Sequence, residues 1–331
     1  MQFRDIIGNP PYQQKDGGGG KGTSAVPLYP EIIEGVYDKG EKQIYIIPCR
    51  WMTGGKGLEE FRGRILQDTH RKRIEVWEDS QQVFKKIRIG GGVCILQMCS
   101  DYSEQVETVL HEGGKDMEWK APFRTKGLEV YVRDKEISRI YEKVREYQDR
   151  YKEGSMSEIV SPRNPYGIKE QEIKGVGGIR LLSTANMVRK WKQIEEQEIG
   201  KKTGLNSYKV FVAKAQGSGR LGERLSEIVI GKPQEVCTES FLQIGVTEER
   251  EIAEREVKYI KTKFFRAMLG VMKNTQNMTK NTFRCVPKQD FQETEIEWGA
   301  SIREIDEQLY KKYGLTEQER GYIENKVQSM E

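Results

Sequence analysis

The sequence predicts an α/β domain followed by an α+β domain, and three observations carry that prediction. Over about the first hundred residues, short apolar runs of strand type alternate with segments whose apolar residues recur at helical spacing. Past residue 112 that alternation gives way to Gly- and Pro-bearing loops, isolated strands and a long amphipathic helix. The chain has 331 residues, enough for two domains at roughly 100–200 residues each.

Phe3 to Ile7 reads as a short strand that runs directly into Gly8-Asn9-Pro10-Pro11-Tyr12, and a Gly-rich loop follows from Asp16 to Gly22. Leu28, Ile32, Ile33, Val36 and Tyr37 mark a helix. Gln43 to Ile47 is a buried-type strand stopped by Pro48, and Leu58, Phe61, Ile65 and Leu66 line a second helix. Arg73 to Trp77 and Gly92 to Met98 are two more strands, so the alternation predicts a parallel-type sheet with covering helices. In the second part a helix is expected near Lys135 to Tyr147, with strands near Tyr208 to Ala213 and Glu227 to Ile230. One long helix is predicted from Glu248 to Lys273. Two tail helices open on capping boxes, Ser301 with Glu304 and Thr316 with Glu319, and Gly314 ends the first. The expected boundary divides residues 1–112 from 113–331.

Composition narrows the chemistry. Lys plus Arg total 55 and Asp plus Glu 51, a net charge of +4, and the 36% of apolar residues can build real cores. No apolar run approaches the roughly 20 residues of a membrane span, and Arg4 and Asp5 interrupt any leader-like start. Five cysteines, with no CxxC pair, argue against a disulfide framework or zinc site and for a reducing cytoplasm. With only His70 and His111 available, a His-rich metal centre cannot form, and neither lies beside a GxSxG nucleophile signature. A solvated or capping role is the expectation for both. No metal site is expected.

Asn9-Pro10-Pro11-Tyr12, at the carboxyl end of a strand, is the most informative feature. Such a tetrapeptide arises by chance in roughly one chain in a thousand of this length, and open α/β sheets place ligands at strand carboxyl ends. The residue types suit an exocyclic amine. The N6 lone pair of adenine is delocalised into the ring and is a poor nucleophile. An Asn side-chain oxygen and a neighbouring main-chain carbonyl can accept both N6 hydrogens and favour a tetrahedral, reactive nitrogen. Two prolines present that carbonyl on a stiff backbone without N–H donors. A Tyr beside them can stack on a base swung out of a duplex, and attack on a methylsulfonium is then a displacement governed by alignment.

Asp5-Ile6-Ile7-Gly8-Asn9-Pro10-Pro11-Tyr12-Gln13 resembles the catalytic motif of N6-adenine DNA methyltransferases of bacterial restriction-modification systems. Ile46 to Met52, Gly54 to Leu58, Phe61-Arg62, Asp79-Ser80, Val83-Phe84 and Gly90 to Cys94 resemble the block that follows it in one large subgroup. Thr262 to Arg266, Pro287 to Phe291 and Tyr313 to Thr316 resemble that subgroup's target-recognition end. The resemblance implies a partial Rossmann-like methyltransferase domain, then an α+β target-recognition domain. It implies double-stranded DNA as substrate and S-adenosylmethionine as methyl donor. Asn9, Pro10, Pro11 and Tyr12 would be the catalytic residues, with Asp5 and Asn9 touching the cofactor.

Two departures stand out. The family's donor pocket uses a Gly-rich loop ahead of the catalytic motif, yet only eight residues precede Asn9. Gly17 to Gly20, Gly54 to Gly57, Gly90 to Gly92 and Gly175 to Gly178 read as turns, since none joins a strand to a helix with an Asp ahead of it. A permuted order would need a strand–glycine–helix unit within residues 208–331, and none is convincing. The expectation is therefore the catalytic-loop and recognition half of an enzyme, with the donor half on a separate subunit or removed by truncation. The second departure is Ile95-Leu96, where relatives often carry an aromatic residue.

For DNA contact, the stretch Glu256 to Asp290 holds eight basic residues against two acidic ones. Lys273, Lys280, Arg284 and Lys288 are the phosphate candidates, and Asn277 and Asn281 are amide types that read adenine edges. Arg71, Lys72, Arg73, Lys85, Lys86 and Arg88 form a second basic cluster. A non-catalytic DNA-binding module is the competing expectation. A nuclease is disfavoured because no strand-borne Asp precedes a spaced ExK.

Overall fold

The computed structural model describes residues 2–14, 26–55, 57–170, 173, 177–185, 188–292 and 295–330. It divides into two compact units that meet in sequence between Ser138 and Arg139.

The first unit contains β1 (Phe3–Gly8), β2 (Gln13–Gln14), β3 (Val26–Pro27), α1 (Tyr29–Val36), β4 (Gly40–Pro48), α2 (Glu59–Gln67), β5 (Arg71–Trp77), β6 (Val93–Cys99), β7 (Val106–Glu112) and β8 (Lys115–Ala121). Six strands form one sheet in the order β1-β4-β6-β5-β7-β8. The sheet is mixed, which corrects the parallel-type expectation. β1 runs parallel to β4 and β5 to β7, whereas β6 is antiparallel to both β4 and β5, and β8 to β7. Helix α2 provides the crossover that keeps β4 and β5 in one direction. Between β5 and β6 stands only a short 3-10 turn at Ser80–Gln82 and a glycine turn, so the chain reverses and inserts β6 between them.

The β7–β8 hairpin escaped the sequence reading. Gly113 and Gly114 both take positive φ, 59° and 77°, as a tight two-residue hairpin turn requires. The first unit accordingly continues past residue 112, where the sequence placed a boundary.

Strand alternation sets the core. Tyr45, Ile47, Ile74, Val76, Cys94 and Leu96 point to one face, where Tyr29 and Ile33 of α1 and Phe61 and Ile65 of α2 cover them. Phe61 meets the Tyr29 ring edge-on at 5.5 Å and the Trp51 indole at 6.0 Å. On the other face, register places Ile7, Ile44, Ile46 and Ile95 together. The last three are half-buried, and Ile7 is 78% exposed.

Helix α3 (Lys135–Tyr151) spans the division between the units. The second unit continues with β9 (Ile179–Ala185), β10 (Val188–Ile194), β11 (Tyr208–Ala213), β12 (Val229–Gly231), β13 (Glu235–Cys237) and β14 (Phe241–Thr247). These strands make two small sheets, β10-β9-β13 and β12-β11-β14, around Tyr166, Leu181, Phe211, Val236 and Phe241. Then come α4 (Arg250–Lys261), α5 (Lys263–Met272), α6 (Ile302–Lys312) and α7 (Glu317–Lys326).

The single helix expected from Glu248 to Lys273 is two helices. Thr262 leaves the helical region (φ −60°, ψ 150°), and its hydroxyl accepts from the Phe265 N–H, so it caps α5. The buried carboxylate of Asp306, on α6, accepts from the Lys263 and Phe264 N–H groups at 2.9 and 2.8 Å. An unbroken helix would have left those acceptors without donors. Both tail capping boxes form as the sequence predicts, and Gly314 takes a φ of 64° just past α6.

Candidate active site

β1 ends where proline makes further pairing impossible. Gly8 is the last residue in register with β4, opposite Tyr45, and Pro10 and Pro11 have no N–H to continue the ladder. A Cβ placed on Gly8 would lie 3.3 Å from Cδ1 of the Tyr45 ring. Gly8 thus lets the strand end pack on that ring. After it Asn9 is exposed, Pro10 buried, Pro11 exposed and Tyr12 half-buried. The return path is fixed by the β2–β3 ribbon and by the Leu28 N–H donating to the Tyr12 carbonyl at 3.3 Å.

The Asn9 amide makes no hydrogen bond to the described residues. The Tyr12 hydroxyl, by contrast, is buried without a partner among them. Burial pushes its pKa up to about 12, with smaller contributions from the nearby Cys94 and Cys49 thiols. Tyr12 is thus a neutral phenol whose hydroxyl end is buried, and Asn9 is an exposed amide beside it. All four motif residues are brought into one turn at the carboxyl end of an edge strand.

The supports beneath this turn come from the downstream block. Cys49 and Trp51 are fully buried, and the Cys49 N–H donates to the Gly92 carbonyl at 3.0 Å. Gly92 has a φ of 84°, and a Cβ there would meet the Trp77 carbonyl oxygen at 2.1 Å, so only glycine fits. Arg62 Nη1 donates to the Trp51 and Gly54 carbonyls at 3.1 and 3.2 Å. Tyr45, Cys49, Cys94 and Arg62 were not among the candidate site residues. The apolar alternation around Tyr45 was the available signal.

Other sequence candidates are placed differently. Asp5 is solvent-exposed on β1, with Arg4 3.9 Å away. Gly55, Gly57, Gly91, Gly92 and Gly177 all have positive φ, consistent with turns. Gly17 to Gly20, Lys56, Gly175 and Val176 lie outside the described residues. The Gly54 turn leads into α2, but Glu59 and Glu60 occupy that helix's first turn. His70 bonds to Asp68 at 2.9 Å, and His111 stacks on Trp77 at 4.2 Å. A cleft of about 320 Å³ opens at the opposite end of the sheet, lined by Gln2, Tyr37, Gly40, Asp68, His70 and Cys99. It is therefore distant in the fold from Asn9.

In the basic stretch, Lys273 is 4% exposed and paired with Glu223 at 2.6 Å. Asn277, Lys280 and Asn281 are exposed and lie close in sequence around a 3-10 turn (Lys280–Phe283), while Arg284 is half-buried. Lys288 lies 3.5 Å from Glu158. Of the second cluster, Arg71 is buried under the Phe123 ring and Arg73 is held by Glu75 and Glu107.

Residues 1–84 match the family described as Eco57I restriction-modification methylase. The chain is similar to N6-adenine methyltransferases of restriction-modification systems. A curated relative, an "uncharacterized adenine-specific methylase" of Mycoplasma pneumoniae, is 28% identical over 175 residues, covering 52% of this chain and 41% of the relative. Among solved structures, the Type IIL restriction-modification enzyme MmeI in complex with DNA aligns over 98% of this chain and 56% of its own, with a TM-score of 0.52 and 10% identity. That likeness is one of fold. The type IIG restriction endonuclease BpuSI aligns over 93% of this chain and 50% of its own at a TM-score of 0.37 and 10% identity. This chain thus spans about half the length of the proteins it matches.

Proposed function

We propose that this chain is the base-handling half of a site-specific DNA adenine-N6 methyltransferase of a restriction-modification system. The supporting observation is the Asn9 turn: an exposed amide without a partner among the described residues, two prolines and a tyrosine with a buried hydroxyl end, all at the carboxyl end of β1. In this reading the Asn9 side-chain oxygen and the Pro10 carbonyl accept the two N6 hydrogens of a flipped adenine. That geometry restores nucleophilic character to the nitrogen. Tyr12 stacks on the purine with its ring and takes no part in proton transfer, since its phenol stays neutral. The first unit, which ends at Ser138, carries this chemistry as a partial Rossmann-like domain, and the second unit contacts the duplex.

S-adenosylmethionine is the methyl donor in this proposal, and the described residues do not fit it. The described glycine turn that leads into a helix, at Gly54, meets Glu59 and Glu60 in the first turn of α2, and Asp5 is exposed beside Arg4. A second polypeptide segment, in a separate subunit or in the same protein, would supply the donor pocket. β1 is at the edge of the sheet and runs parallel to β4, and the sheet's less covered face bears Ile7, Ile44, Ile46 and Ile95. Such an edge and face suit added strand–helix units, because parallel strands are normally covered on both sides.

Labelled methyl transfer to an adenine-containing duplex, with Asn9→Ala as control, tests the reading. Transfer is expected from the wild type, with its donor-binding partner where one is required, and a fall of at least about a hundredfold in the variant. Equal labelling by both overturns it. Micromolar S-adenosylmethionine binding by the isolated chain overturns the split-enzyme part alone. The absence of a donor loop among the described residues also favours a second reading, a DNA-binding specificity module without catalysis. That module binds duplex and transfers no methyl with any partner.

A further inference from the structure

The β9–β10 ribbon stands apart from the rest of a chain whose charges nearly cancel. Residues 179–194 hold four basic side chains, Arg180, Arg189, Lys190 and Lys192, and no acidic one. β10 is the edge strand of its sheet, and β13 pairs only with Arg180 to Leu182 of β9. Beyond Leu182 the described ribbon is two-stranded; Lys190 lies in that part, and Lys192, opposite Leu181, lies where it joins the three-stranded part. Two of its cations are spent internally. Arg189 bonds to the Ser226 hydroxyl at 2.7 Å and to the Glu227 carbonyl, and Arg180 pairs with Glu235. Lys190 and Lys192, on one face of β10, have no ion-pair partner among the described residues. Trp191, between them in sequence but on the opposite face of the strand, is 38% exposed, with the Arg180 guanidinium 4.4 Å from its ring centre. A tryptophan braced in this way is rigid and keeps part of its surface toward solvent.

We infer that this ribbon is a duplex-DNA contact of the recognition unit, with Lys190 and Lys192 on backbone phosphates and Trp191 packed against sugar or base edges. The inference rests on the methyltransferase reading for its partner and adds a surface outside residues 273–288. The fit is physical: a two-stranded ribbon matches the width of a major groove, and unpaired lysines release counterions from phosphates. The competing explanation is that lysines on an edge strand only prevent sheet-to-sheet pairing between molecules.

The experiment measures binding of the full chain to a labelled duplex over a range of salt concentrations. Lys190→Gln/Lys192→Gln is expected to weaken binding and lower the slope of log K against log salt by about 2. Trp191→Ala is expected to weaken binding about fivefold or more with the slope unchanged. Unfolding midpoints equal to wild type establish that these substitutions, two at exposed residues and one at the half-buried Lys192, leave the fold intact. If the wild type binds duplex and the variants match it in affinity and slope, the ribbon is overturned and the methyl-transfer reading stands. Variants that aggregate but still bind duplex normally overturn the ribbon in the same way. Loss of Asn9-dependent methyl transfer with ribbon-dependent binding intact is the converse case. A wild-type chain that binds no duplex removes both.

Discussion

The Tyr45 ring lies beneath Gly8, so close that an added methyl group would sit 3.3 Å from it. The Tyr45 hydroxyl donates to Gln43 Oε1 at 2.7 Å, which restrains the ring from moving aside. The turn that presents Asn9 is therefore seated on a neighbouring strand rather than suspended in a loop. Gly8→Ala is expected to cost only about 1 kcal/mol of stability, yet to lower methyl transfer tenfold or more by displacing Asn9. Denaturant unfolding and labelled transfer on the same preparation separate the two effects.

Gly92 offers a sharper structural test. Its positive φ and the 2.1 Å approach of a Cβ to the Trp77 carbonyl leave an alanine no room. Gly92→Ala is expected to destabilise the first unit by more than about 2 kcal/mol. It should also release the Cys49 backbone that Gly92 holds. Urea unfolding followed by tryptophan fluorescence checks the magnitude.

Asp306 holds the start of α5 through two backbone N–H groups. Asp306→Ala leaves both donors unsatisfied, and a loss of about 2–3 kcal/mol is expected. Thr262→Ala removes a single capping bond and should cost about 1 kcal/mol. Unchanged stability in Asp306→Ala would show the long-range cap to be dispensable.

Glu256 carries a pH signature. Burial raises its carboxyl pKa to about 7, and Oε2 has no partner among the described residues. Between the ordinary glutamate pKa and about 7 the folded chain holds a proton that the unfolded chain has lost. Stability from this group therefore falls as pH rises through that window and is flat above it. Glu256→Gln should raise stability relative to wild type more at pH 8 than at pH 5, by on the order of 3 kcal/mol. Urea midpoints at the two pH values read the difference directly.

Lys273 and Lys280 should respond in opposite ways. Lys273 is buried against Glu223, so Lys273→Ala is expected to destabilise the fold by about 3 kcal/mol or more. Lys280 is exposed, so Lys280→Ala should leave stability unchanged and lower the salt slope of duplex binding by about 1. An unchanged salt slope in Lys280→Ala would remove it from the interface.

The sequence by itself determined the strand that carries Asn9, the helices over Ile33 and Phe61, both tail capping boxes and the adenine-methylase resemblance. Those features are written in periods of two or of 3.6 residues, or in side chains three positions apart, and local geometry reads them directly. Only the tertiary structure decided that β6 inserts antiparallel between β4 and β5, that Asp306 reaches back to cap α5, and that Lys273 is buried. It also decided that Trp191 and two lysines share an open edge. Strand direction, distant caps and burial are set by which surfaces meet across long stretches of chain. A residue's own neighbours in sequence carry no record of that choice.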